Sequence, residues 1–265
     1  MRTVNLLARE SDALMNPSRT TVIVAACLLA AVFLGMWLGH VLPVDQLRQE
    51  TKDTVKLTTG LVATMSALLL GLLVNSSKAS YETTRTRLMQ RVSKYALLDR
   101  LLAIYGPQAA ELRGDLDALI EQEARRLWPD DTHPTARPKP QNQNADAFYL
   151  ALLKLETRDD TERALKAQAV SLTFELAQLF SLMETEATSS ISKPMLVVVV
   201  LWLVMIFLGF SLIAPPTATA ALAFIASALC AAGAIFLILE LDHPFSGLIR
   251  ISSEPMRQVL GQFAK

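Results

Sequence analysis

PMLVVVVLWLVMIFLGFSLIAPPTATAALAFIASALCAAGAIFLIL, residues 194–239, runs for about 46 positions without one Asp, Glu, Lys or Arg. An α-helix needs roughly 20 apolar residues to cross the hydrocarbon core of a bilayer, so this run is long enough for two crossings. Pro215-Pro216 near its middle cannot continue a helix without losing backbone donors. The stretch therefore reads as a membrane hairpin, Met195–Ala214 and Ala218–Leu239. Working outward, Thr20–Leu42 is equally free of charge and ends in Met36, Trp37, Leu38 and Gly39 rather than in the small residues of a cleavage site, so it reads as a retained span. Leu57–Val74, extended by Asn75, Ser76 and Ser77, is a second and more polar span. These four segments account for a composition of 52% hydrophobic and 19% charged residues over 265 positions and a mean hydropathy of +0.34. The expectation is an all-α polytopic membrane protein with four transmembrane helices and a cytoplasmic helical domain inserted between helices 2 and 3.

Orientation follows from Lys and Arg near the span ends. Lys78, Arg85, Arg87, Arg91 and Lys94 follow span two, and Arg250 and Arg257 follow span four. The turn from Ala214 to Thr217 carries none, whereas the link from Pro43 to Lys56 mixes Arg48, Lys52 and Lys56 with Asp45, Glu50 and Asp53. The chain then divides into a cytoplasmic segment 1–19, spans one and two over 20–76, a cytoplasmic helical domain over 77–193, spans three and four over 194–239, and a cytoplasmic motif with a short amphipathic helix over 240–265. The expected location is the cell membrane, the inner membrane if the source is bacterial, with both termini cytoplasmic.

Between Lys78 and Lys193 the composition turns soluble. Tyr81, Leu88, Tyr95 and Leu102 recur every seven residues, so span two is expected to continue as one long helix to Tyr105, stopped by Gly106-Pro107. A second helix is expected from Gln108 to Trp128, then an exposed loop 130–144 rich in Pro, Asn, Gln and Asp. A helical pattern resumes over 145–190 with a break near Arg158–Thr161, and Leu165, Ala169, Leu172, Leu176, Leu179 and Met183 form a seam on one face. An intramolecular bundle is the plainer reading of these seams, and packing around a symmetry axis is compatible with it.

Charge excludes several functions. Lys+Arg and Asp+Glu are 25 each, so there is no global attraction to nucleic acid. Cys27 and Cys230 lie inside apolar runs and His40, His133 and His243 are scattered, which provides neither a disulfide framework nor a metal centre. No phosphate-binding loop, nucleophile elbow, zinc-protease motif or Cys-x-x-Cys occurs, so no catalytic residue, cofactor or metal is expected. No carboxylate lies inside a span, which counts against a proton-driven pump.

Span two is the informative helix. Gly60, Thr64, Ala67 and Gly71 make a small-residue stripe that allows a neighbouring helix to come close. Thr58, Leu61, Met65, Leu68, Leu72 and Asn75 make another face, polar at both ends and apolar between. Around an axis that face would give a pore with polar mouths and a hydrophobic constriction. Equally, Thr and Ser can simply bond back to their own helix carbonyls. The cluster Arg85, Arg87, Arg91 and Lys94 could draw anions to a cytoplasmic vestibule, or serve only as a topogenic flank.

Directly after span four comes ELDHPFSGLIRISSEPM, residues 240–256. Pro244 and Gly247 force the chain out of helix, Phe245 can anchor in apolar surroundings, and Ser253 with Pro255 can open a short helix burying Met256, Val259, Leu260 and Phe263. The segment could be no more than a membrane-exit turn with an amphipathic foot.

The pattern Asp242-x-Pro244-Phe245-x-Gly247, with Ile251-Ser252-Ser253-x-Pro255, resembles the closing signature of the bacterial bestrophin-like domain-of-unknown-function family. The stretch Leu68–Leu72 with Tyr81-Glu82 and Arg85 resembles its second-span signature. The resemblance covers Leu57 to Leu260 apart from the insert around 130–144. It implies a four-span protein related in plan to bestrophins, pentameric anion channels whose second helix lines the pore and whose last span is followed by a similar Asn-Pro-Phe-Gly segment. Two departures stand out. Leu57–Val74 has no Phe, Tyr or Trp where bestrophins narrow their pore with aromatic and aliphatic residues. Only Glu254 stands where eukaryotic members carry a calcium-binding run of acids, so calcium gating is not implied.

The expected function is thus an oligomeric, pentameric ion channel conducting chloride or another small anion, with the lipid bilayer and copies of itself as partners. A non-conducting scaffold or sensor whose helical domain binds a partner protein is the rival reading. A motor-type subunit of an energy-transducing membrane complex is a third.

Overall fold

The computed structural model describes residues 17–42, 49–128, 141–187, 193–215 and 217–263. Among them are α1 (Pro17–Val41), α2 (Gln49–Tyr105), a 3-10 turn (Pro107–Ala109), α3 (Ala110–Leu127), α4 (Gln141–Lys154), α5 (Asp160–Ala187), α6 (Lys193–Ile213), α7 (Ala218–Leu241) and α8 (Glu254–Phe263). The N-terminal residues 1–16, most of the link after α1 and residues 130–140 of the expected loop lie outside the described residues. The chain divides into two units, one built from residues up to Ser80 with Ser190–Asp242, the other from Tyr81–Ser189 with His243 onward.

Among the described residues four helices are long and apolar enough to cross a membrane: α1, α2, α6 and α7. The bilayer-crossing part of α2 belongs to a helix of 57 residues that begins at Gln49, ahead of the apolar run. In the first unit, α1 packs along α6 and α7. Its core holds Val24, Leu28, Ala31 and Val32 of α1 with Phe207 of α6 and Ala228, Ile235 and Leu239 of α7. Glycine makes this approach possible, because a Cβ at Gly35 would stand 2.7 Å from Leu208 O and one at Gly39 would stand 2.5 Å from Leu212 O. Helices in lipid gain no hydrophobic driving force from one another, so close van der Waals packing of this kind is what holds them. Leu73 of α2 joins through Val199 and Ile238, and Thr59 packs where a Cβ on Gly209 would come within 2.6 Å of its hydroxyl. Thr217 caps α7, its hydroxyl accepting from Ala220 N at 3.3 Å. Large apolar side chains such as Val22, Phe33, Leu201 and Leu222 stay exposed, as membrane helices that face lipid require.

The second unit is a helical bundle. Its core joins Leu88, Leu98 and Leu102 of α2 with Leu112, Leu116 and Ile120 of α3, Phe148 and Leu152 of α4, Ala169, Leu172 and Leu176 of α5, and Met256 and Val259 of α8. Gly106, at φ 107°, ends α2 and turns the chain into Pro107. The helix expected to resume at Ala145 begins at Gln141, so 141–144 are helical rather than loop. The break before α5 is a built corner. Asp159 Oδ1 accepts from Glu162 N at 2.7 Å, Glu162 Oε2 accepts from Arg158 N at 2.6 Å, and Lys166 Nζ donates to the carbonyls of Leu153 and Leu155 at the end of α4.

Candidate pore helix and closing motif

In its apolar part α2 has two faces of opposite fate. Thr59, Ser66, Leu73 and Ser77 are buried against the rest of the chain. On the other side Leu61, Met65, Leu68 and Leu72 are 65, 50, 69 and 61% exposed, and Thr58 and Asn75 at the two ends are exposed as well. The structure thus places all six sequence-singled residues on solvent- or lipid-accessible positions of one helix. Thr58 donates to Thr54 O at 2.9 Å and Thr64 to Gly60 O at 3.0 Å, so both hydroxyls are bonded back to the helix. The small-residue stripe also lies open, with nothing among the described residues within 4 Å of a Cβ placed on Gly60 or Gly71.

The four basic residues do not stay together as a set. Arg85 is exposed and Arg87 half-buried, but Lys94 pairs with Glu175 of α5. Arg91 is only 2% exposed and forms an ion pair with Glu123 of α3, which is itself 2% exposed. Of the four residues expected as a vestibule cluster, Arg91 thus lies on the same stripe as Leu88, Tyr95 and Leu98, and its charge is paired inside the bundle.

Around Arg91 the bundle builds a closed electrostatic cluster. Its guanidinium donates to Tyr95 Oη at 3.2 Å, and that hydroxyl donates to Glu123 Oε2 at 2.5 Å. The ring of Phe180 on α5 meets two guanidinium groups, its centroid 5.3 Å from that of Arg91 and 5.5 Å from that of Arg126. Burial raises the Glu123 carboxyl above the ordinary range, with Arg91 and the Tyr95 hydroxyl opposing the rise. Burial likewise pushes the Tyr95 phenol up, and the Glu123 charge adds to it. From the sequence Tyr95 reads only as a seam position of α2, and Glu123 draws no attention. The available signal was a carboxylate at the end of the apolar series Leu112, Leu116, Ile120, Glu123 and a guanidinium on the stripe of α2.

The closing motif is also held by side chains. Asp242 caps the end of α7. Beyond it, Ile251 N donates to Pro244 O at 2.8 Å, closing a loop in which Gly247 takes φ 87°, a conformation that L side chains rarely adopt. Trp128 Nε1 donates to Ile251 O at 2.9 Å, and its ring meets Phe245 edge-on at 5.6 Å. Ser253 precedes α8, Pro255 sits in its first turn, and Ser253 O accepts from Arg257 N at 3.1 Å. Met256 and Val259 are buried in the bundle core, so α8 is a packed piece of the helical unit. The side chain of Phe263 lies outside the described residues.

A family model described as the bestrophin-like domain matches residues 26–256, from α1 through the closing motif. The chain belongs to the bestrophin-like family. Solved structures show the same fold. A bacterial bestrophin homolog from Klebsiella pneumoniae, in a single-residue variant, is 15% identical, covers 90% of this chain and 99% of its own, and superposes with a TM-score of 0.65. A second variant of it gives 15%, 89%, 97% and 0.65. Another structure, described as a membrane protein, gives 14%, 91%, 97% and 0.67. No curated protein matches the chain. Membership in the bestrophin-like family, together with four membrane-length helices, makes this a membrane protein.

Proposed function

We propose that this bestrophin-like protein is a homo-oligomeric ion channel whose pore is lined by α2. One observation carries the reading: Leu61, Met65, Leu68 and Leu72 form a continuous apolar face that no helix among the described residues covers, flanked by Thr58 and Asn75, on the same helix whose opposite face is buried. Copies of α2 around an axis would turn that face inward, giving polar mouths and an apolar constriction that gates by dewetting. The open stripe of Gly60, Thr64, Ala67 and Gly71 allows adjacent copies to approach.

The finer assignments rest on the same footing. A fivefold axis follows from the resemblance to bestrophins. Chloride or a similar small anion suits the exposed Arg85 and the half-buried Arg87, which stand about two to four helical turns beyond Asn75. The Lys and Arg distribution puts both termini and the helical unit in the cytoplasm of a cell membrane.

Cysteine accessibility tests the lining. With Cys27 and Cys230, both exposed, replaced by Ala, single cysteines at Leu61, Leu68 and Leu72 should react with a membrane-impermeant thiol reagent in the assembled protein in a bilayer. Control cysteines at Val22 and Leu222 should not. Reaction at the controls with silence along α2 would contradict the reading.

A further inference from the structure

The helical unit contains a cavity of about 340 Å³ that the channel reading does not use, walled by α2, α3, α4 and α5. This volume is at the lower end of the range of small-molecule sites. Four of its lining residues are aromatic, Tyr95, Phe148, Tyr149 and Phe174, and most of the others are Leu or Ala. Asp146 is the sole charged residue among those lining it and is exposed. Phe174 is 69% exposed, an unusual position for a large aromatic ring in the soluble unit of a folded chain. Aromatic rings attract cations through their quadrupole, and one carboxylate adds a single negative charge. The wall therefore selects for one positive charge on an apolar body.

We propose that this cavity is a binding site for a small apolar monoamine, an aryl-alkyl ammonium whose body fills the aromatic and leucine walls and whose charge meets Asp146. Tyr95 belongs to both structures at once, lining the cavity and donating its hydroxyl to Glu123. A bound molecule touches the residue that holds the buried pair.

The test uses the full chain in phosphatidylcholine nanodiscs, with empty nanodiscs as the blank, titrated with 4-phenylbutylamine and followed by ligand-observed NMR. The neutral 4-phenylbutanol and the anionic 4-phenylbutyrate serve as comparison probes. The expected result is saturable binding of the amine at one per chain, with both comparison probes weaker. Asp146→Asn should weaken the amine about threefold and leave the alcohol unchanged, as an ion pair to an exposed carboxylate dictates. Ala177→Phe, which places a ring in the cavity from α5, should abolish binding. Should that variant misfold, the exposed Asp146→Asn change still decides the matter. Equal binding of all three probes, or Asp146→Asn without effect, would overturn the assignment. So would no binding above the blank by a folded protein, including the case in which a second copy covers the cavity.

Discussion

The Tyr95 hydroxyl donates a 2.5 Å hydrogen bond to Glu123, joining the helix that carries the candidate pore face to the next helix of the bundle. Arg91 completes the contact from the turn before Tyr95. Burying a carboxylate costs several kcal/mol, which a close cation and a good donor offset only when both are in place. The cluster therefore fixes the register of α2 against α3 more than it adds net stability.

Arg91→Met should expose that balance. Losing one partner of a buried pair costs about 3–5 kcal/mol. Burial already holds Glu123 above its ordinary value and Arg91 opposes it, so the substitution raises the carboxyl further. A carboxyl whose folded pKa lies above its unfolded value of about 4.3 stabilises fully below that value, and the contribution is lost as pH rises through the folded pKa. Unfolding of the variant should thus show its largest deficit near pH 8, shrinking toward pH 5. The double variant Arg91→Met/Glu123→Gln should be flat over that range. A deficit in the single variant that does not change with pH would refute the assignment.

Trp128→Phe keeps a ring against Phe245 and removes the donor to Ile251 O, leaving a buried carbonyl unpaired at a cost of about 1–3 kcal/mol. Gly247→Ala, at φ 87°, should cost about 1–2 kcal/mol through backbone strain. Hydrogen exchange should report both changes as faster opening of the amides over 246–260, with the membrane helices unaffected.

Much of this architecture is readable from residue patterns, because bilayer crossing and helix stopping are local rules. The charge-free run at 194–239 with its Pro pair, the seven-residue recurrence from Tyr81 to Leu102, and Gly106-Pro107 each need only their own neighbourhood. Arg91 shows where such reading fails. A basic residue just after a span looks like a topogenic flank, and only the partner 32 positions later, Glu123, reveals that it is buried. The same holds for Trp128, whose acceptor at Ile251 lies 123 residues away. The helix start at Gln141 was hidden because Gln and Asn read as loop formers, whereas tertiary packing of Phe148 and Leu152 extends the helix toward its N-terminus.

Glycines in the membrane unit separate folding from assembly. Gly39→Ala would place a Cβ 2.5 Å from Leu212 O and should destabilise the unit by about 1–3 kcal/mol, read as a lower unfolding temperature. Gly60→Leu and Gly71→Leu stand where a Cβ has nothing within 4 Å among the described residues. They should leave helix content unchanged while native mass spectrometry shows smaller or dispersed oligomers. Intact oligomers from both variants would remove the small-residue stripe from the assembly.

Planar-bilayer recording of the purified, symmetric oligomer tests the central claim most directly. The account predicts a conductance that rises when Leu68→Ser wets the apolar stretch of α2 and is unchanged when Leu222→Ser alters an exposed position on α7. Silent bilayers from a verified intact oligomer, for both the unaltered chain and Leu68→Ser, would contradict it.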